Sequence, residues 1–219
     1  MPTRRDALLL IPAGLAAAGS YAWLTRGGDG LPGLDVVRAA NAQAADVREM
    51  TLGDPDAPVK VIEYASFTCP HCADFHRDTF KDFRAQYIDT GRVHFTYREV
   101  YFDRYGLWAS MIARCAGDER FFGVADLLYQ QQSQWAREAD AVAVADALKR
   151  IGAQAGLDQA TLDACLTDAG QAEALVAWYQ ENAQRDGIRS TPSFLINGEL
   201  HGGNMGIGQI GRLVEEAGA

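Results

Sequence analysis

The sequence predicts an α/β protein in two halves, βαβ and ββα, interrupted by an all-helical insertion. Three observations carry that expectation. Val59–Phe67 and Val93–Val100 are apolar, β-rich runs separated by a helical stretch. A long helix-only segment follows. Strand character then returns in Ser193–Ile196, and Asn197-Gly198 marks a hairpin turn before a last helix. At 219 residues the chain is long enough for one domain with a sizeable insertion, and 48% hydrophobic with 22% charged residues is ordinary for a globular protein.

The chain opens differently. Thr3-Arg4-Arg5 precedes an uncharged stretch from Ala7 to Leu24, and Arg26 follows. A basic region before an apolar run is the pattern of an export signal. The run is also about long enough to span a bilayer, although Pro12 and Ala16-Ala17-Ala18 make it a weak span. Residues 1–26 are therefore read as a signal peptide or a signal anchor. The adjacent arginines resemble a twin-arginine signal, which Asp6-Ala7-Leu8 fits only loosely. Residues 27–45, rich in Gly, Ala and Asp, read as a linker.

A first α/β part is expected over 46–105. Val47–Leu52 is a short strand-like run, closed by the turn residues Gly53-Asp54-Pro55-Asp56-Ala57-Pro58. Val59–Phe67 has the near-continuous apolar character of a central strand. A helix is expected from Pro70 to Tyr87, with Phe75, Phe80 and Phe83 on its apolar face. Gly91 ends it and Val93–Val100 makes the next strand, so the unit implies parallel pairing through a right-handed crossover. The insertion is assigned to 106–186. Trp108, Met111, Ile112 and Cys115 fall at helical spacing, as do Phe121, Ala125, Leu128 and Tyr129. Val142, Ala145, Leu148 and Ile151 mark another helix, and Leu175, Trp178 and Tyr179 a later one. The α/β domain resumes over 187–219, where Leu200-His201 begins the hairpin's second strand and Met205–Ala217 forms the closing helix.

The chemistry-bearing motif is Cys69-Pro70-His71-Cys72. Cys69 falls where a strand gives way to a helix, and Pro70 suits the first helical position. The unpaired N–H groups and positive dipole end of a helix N-terminus favour a thiolate there. A stabilised thiolate is also a good leaving group, so a disulfide made with it is readily given away. Cys72 lies about one turn on, close enough to close a small ring, and the His71 imidazole could further favour the anion. A zinc site would need two more ligands; His76 could offer one, but Cys115 and Cys165 stand apart without a second Cys-x-x-Cys. Covalent haem attachment needs His after the second Cys, where Ala73 stands. A purely structural bridge would close too short a loop to constrain much. Redox chemistry is the expected use, with no metal and no cofactor beyond the Cys69–Cys72 disulfide itself. A net charge of −9 and a pI near 4.9 argue against a nucleic-acid partner.

Glu63-Tyr64-Ala65-Ser66-Phe67-Thr68-Cys69-Pro70-His71-Cys72 resembles the active-site strand and helix start of the DsbA family of disulfide oxidoreductases. The likeness continues in Gly53–Pro58 and in Thr191-Pro192-Ser193-Phe194-Leu195-Ile196-Asn197-Gly198, and covers residues 46 to 219. It implies a thioredoxin fold with the helical insertion, a cis Pro192 facing the cysteines, and a Thr191 backbone that pairs with bound peptide. An ordinary trans proline opening a strand is the alternative for Pro192. Glu63 matches a buried acid, a candidate proton relay for Cys72; its alternative is a surface carboxylate. The resemblance also implies a second disulfide, Cys115–Cys165, as in some alphaproteobacterial relatives, the alternative being two buried thiols.

The implied function is a periplasmic disulfide donor that passes its Cys69–Cys72 disulfide to reduced exported proteins through a mixed disulfide. Its partners would be unfolded or partly folded exported proteins with free thiols and, for reoxidation, a DsbB-like membrane quinone reductase. An uncleaved N-terminal segment would tether it to the inner membrane. The alternatives are an isomerase or reductase using the same motif, and a non-catalytic thioredoxin-fold binding module. The dimeric isomerases carry an extra dimerisation domain for which the 27–45 linker leaves no room, so a monomer is expected.

Overall fold

The computed structural model describes residues 47–138 and 140–218. The expected export segment at 1–26 and the linker at 27–45 lie outside them. Among the described residues no helix is long and apolar enough to cross a membrane.

Five strands form one sheet: β1 (Met50–Leu52), β2 (Val59–Ala65), β3 (Val93–Glu99), β4 (Ser193–Ile196) and β5 (Glu199–Gly202). Their order is β1-β3-β2-β4-β5, with β2 parallel to β3 and every other pair antiparallel. The βαβ and ββα halves thus meet along β2 and β4, as the thioredoxin fold requires. β2 is central because its side chains are buried on both faces; apart from Lys60 and Ile62, every residue in it is buried. Asn197 and Gly198 turn the β4–β5 hairpin with φ of 45° and 90°, the positive values a two-residue turn demands.

The expected helix 70–87 is in fact three pieces. α1 (Pro70–Asp78) stops at Thr79, α2 (Phe80–Phe83) follows, and Arg84–Ile88 widens into a π-helical turn closed by the Asp89 N–H on the Arg84 carbonyl at 2.8 Å. The wide turn accommodates the sequence: Phe83 and Ile88, five apart, are both buried, as is Tyr87. The strands are also shorter than their apolar runs. β2 ends at Ala65 because Ser66 begins a turn, its carbonyl accepting the Cys69 N–H at 3.1 Å.

Between β3 and β4 the regular elements among the described residues are all helices: α3 (Arg104–Cys115), α4 (Asp118–Gln130), α5 (Gln132–Trp135), α6 (Ala141–Gln154), α7 (Gln159–Thr167) and α8 (Ala169–Arg185). α9 (Ile207–Ala217) closes the chain. The expected helix through Val142, Ala145, Leu148 and Ile151 is α6, though Val142 does not face the core. Val142 is 70% exposed, and the buried face is Val144, Leu148 and Ile151. Asp140 explains it, since its carboxylate caps the N–H groups of Val142 and Ala143 and sets Val142 in an outward first turn.

Two buried polar networks join the sheet to the helices. Arg98 of β3 donates to Glu49, to the Tyr64 hydroxyl at 2.7 Å and to Asp186 just beyond α8 at 2.8 Å. Glu99 accepts two bonds from Arg114 of α3, at 2.6 and 2.7 Å, and one from Ser110. Cys115 of α3 and Cys165 of α7 are joined in a disulfide with their Cα atoms 6.2 Å apart.

Candidate active site

Cys69 is the last residue before α1 and takes the N-cap position with extended backbone (φ −79°, ψ 120°). Pro70 lacks the N–H that would be unpaired there anyway, which is why a helix can begin on it. No side chain caps the helix, so its first N–H groups remain available to the Cys69 sulfur. Cys69 and Cys72 are both free thiols. Cys69 is 8% exposed and Cys72 wholly buried, so only one sulfur can meet a large partner.

The two thiols titrate in opposite directions. Cys69 is lowered from the ordinary 9.0 to about 5, chiefly because the Cys72 thiol hydrogen-bonds it; Thr191 and the N–H groups of Cys72 and His71 add to this against the cost of burial. Cys72 is pushed up by burial first, then by Cys69 and by the nearby Glu63 charge, and stays a thiol. Thr191-Pro192, which enters β4, is a cis peptide bond, and the Thr191 carbonyl accepts from the Cys69 sulfur at 3.5 Å. The Thr191 hydroxyl is buried and makes no well-formed hydrogen bond among the described residues.

Glu63 lies on β2 opposite Tyr97 of β3 and Phe194 of β4, and is completely buried. Both its oxygens lie against His76 Nε2, at 3.0 and 3.1 Å. The His76 ring stacks on Tyr129 of α4 at 4.2 Å, and the Tyr129 and Tyr97 hydroxyls are 2.6 Å apart. His71 is placed differently from its neighbours. Its ring is three-quarters exposed, with Nδ1 3.9 Å from the Asp74 carboxylate, so it is the His71 backbone that faces Cys69.

Glu63, Cys69, Pro70, His71, Cys72, Thr191 and Pro192 are thus gathered at one end of the central strands, while Cys115 and Cys165 sit in the helical insertion. Two participants escaped the sequence reading. His76 entered only as a conceivable zinc ligand; its i, i+4 spacing from Cys72 already set both on one buried helix face. Gln132 carried no signal at all. Its side-chain amide donates to the carbonyls of Phe67 and Cys69, at 2.8 and 2.9 Å.

A Cys-x-x-Cys opening a helix opposite a cis-proline, on this sheet, defines the class of thioredoxin-fold proteins. A family model described as thioredoxin matches residues 45–216. Two curated Rickettsia proteins bearing the provisional name protein-disulfide oxidoreductase are similar. That of Rickettsia bellii is 32% identical over 78% of this chain, and that of Rickettsia felis 34% identical over 78%. The match spans 65% and 61% of their own lengths. Among solved structures, Wolbachia pipientis alpha-DsbA1 superposes with a TM-score of 0.72 at 29% identity, covering 78% of this chain and 90% of that one. A protein-disulfide isomerase from Novosphingobium aromaticivorans gives a TM-score of 0.67 at 25% identity, covering 75% and 97%. The chain belongs to the thioredoxin family whose model it matches, and among solved structures it is similar to DsbA proteins.

Proposed function

We propose that this protein donates its Cys69–Cys72 disulfide to reduced proteins outside the cytoplasm. The observation that carries the reading is the asymmetry of the two thiols, an acidified and slightly exposed Cys69 beside a wholly buried Cys72 held neutral. A substrate thiolate attacks the Cys69 sulfur, a substrate–Cys69 disulfide forms, and the electron pair of the broken bond leaves on Cys72, which takes up a proton. A second substrate thiolate then attacks the substrate sulfur of the mixed disulfide. Cys69 departs as the stabilised thiolate, and the substrate keeps the new disulfide.

The other site residues fit roles in that sequence. Glu63 is suited to relay a proton to and from Cys72. His76, which bonds Glu63 and lines a flank cleft of about 480 Å³, gives that carboxyl a path to solvent. The Thr191 backbone is suited to receive an extended peptide by strand-like pairing, which binds many sequences alike. The substrates would be unfolded or partly folded exported proteins with free thiols, and a DsbB-like membrane quinone reductase would restore the disulfide. Periplasmic location, with or without a membrane tether, rests on the basic and apolar pattern of residues 1–26.

An isomerase or reductase role has one observation in its favour, the printed name of the Novosphingobium relative. One experiment separates the readings. The reduction potential is measured against glutathione, and a reduced dithiol peptide is offered to the oxidised protein with Cys69→Ser as control. An oxidising couple and peptide oxidation lost in the control are expected. A strongly reducing couple would overturn the donor role, and oxidation surviving in the control would overturn the site.

A further inference from the structure

The loop between β2 and α1 is held at the border of the helical insertion and from within it. Thr68 donates its hydroxyl to Asp103 at 2.8 Å, and the same Asp103 caps α3 by accepting from the N–H groups of Tyr105 and Gly106. Gly106 lies so close that a Cβ there would touch the Ser66 and Thr68 hydroxyls at 3.4 Å. The stronger grip is Gln132. It is 8% exposed at the start of α5, and its amide nitrogen has two hydrogens, one for the Phe67 carbonyl and one for the Cys69 carbonyl. The Cys69 carbonyl also begins α1 by accepting the Ala73 N–H at 3.2 Å.

We infer that Gln132 is a positioning residue for the redox site, through which the helical insertion holds the Cys69 sulfur against the N-terminus of α1. The inference rests on Cys69 being the reactive thiolate. The physical argument concerns where two buried carbonyls would go without it. Each would seek water or another donor, since a buried acceptor left unpaired is costly. The residues that carry them flank Thr68 and end at Cys69, so that relaxation turns the sulfur relative to the His71 and Cys72 N–H groups. Those bonds are short-ranged and directional, and the thiolate loses part of its support as they lengthen.

The test compares the wild-type protein with Gln132→Leu and the more isosteric Gln132→Met, the latter guarding against a variant that fails to fold. Gln131→Met serves as a neighbouring control, because the Gln131 side chain, among the described residues, bonds only the exposed Gln154 side chain. Thiolate absorbance and the pH dependence of Cys69 alkylation are read alongside the equilibrium with glutathione and the thermal midpoint. Both Gln132 variants should raise the Cys69 half-point by roughly one pH unit and make the disulfide about tenfold harder to reduce at neutral pH. Gln131→Met should move neither. A Gln132 variant with a lowered thermal midpoint but unchanged half-point and glutathione equilibrium would overturn the inference, leaving Gln132 a structural residue only. A wild-type protein without an acidic half-point would instead overturn the reading of Cys69 itself, before any variant is compared.

Discussion

At the scale of residues, identical thiols three positions apart have been given opposite chemistry by their surroundings. Cys69 meets donors and the end of a helix; Cys72 meets apolar burial and a carboxylate. The sign of the resulting pH dependence follows. Lowering Cys69 from 9.0 to about 5 stabilises the folded, reduced protein fully above the unfolded value. That stabilisation is lost as pH falls through the folded value. The oxidised protein has no such group, so the reduced form should lose stability relative to the oxidised one as pH drops from about 9 to about 5. Urea unfolding of both forms at several pH values measures it, and a gap constant over that range would contradict the assignment. The Glu63–His76 pair gives a second expectation. His76→Ala leaves a buried carboxylate without its partner and should cost about 3 kcal/mol, whereas Glu63→Leu with His76→Leu should recover most of that. Chemical denaturation of the wild type and the two variants measures both.

At the scale of elements, the reading of the sequence succeeded where pattern and local chemistry agree. The hairpin at Asn197-Gly198 and the strand-to-helix passage at Cys69-Pro70 are written in adjacent residues, and both stand where expected. The break of the long helix at Thr79 was not legible, because Phe75, Phe80 and Phe83 fit a continuous helix as well as an interrupted one. Val142 misled for a related reason: its apolar side chain fits a helical stripe, but the Asp140 cap fixes the phase of the first turn. Gln132 and the Arg98–Tyr64–Asp186 network were invisible because their partners are far apart in the chain. Gly53, by contrast, was read simply as a turn residue, and its burden is larger. It has φ +88°, and a Cβ there would meet the Val93 carbonyl at 2.5 Å. Gly53→Ala should therefore destabilise the protein by about 1–3 kcal/mol and loosen the β1–β2 connection. Thermal melts and hydrogen exchange at Val93 and Leu52 would register both effects.

At the scale of the whole molecule, the insertion and the sheet share buried charge rather than only apolar surface. Glu99 with Arg114 and Arg98 with Asp186 bind the ends of the helical segment to β3. The Cys115–Cys165 bridge acts within the insertion, closing a loop of 50 positions from α3 to α7. Replacing both cysteines by alanine should lower stability by about 2–4 kcal/mol. Peptide oxidation by Cys69 and Cys72 should survive, since neither replaced residue reaches the redox site. Unfolding curves and the peptide assay on the same double variant check the two halves of that statement.

That bridge also changes what the molecule looks like to a reducing agent. In the oxidised form that the proposed function requires, the protein would carry two sulfur–sulfur links of contrasting resilience: one easily broken, because its reduced form is stabilised, the other embedded in helices that its rupture would loosen. Exposed to rising concentrations of glutathione, the oxidised protein should therefore accept electrons and yield thiols in two well-separated waves, Cys69 and Cys72 first and Cys115 and Cys165 much later. Between those waves lies a wide range of ambient reducing strength in which the working pair can cycle while the brace stays shut, so the scaffold is insulated from the very reaction it supports.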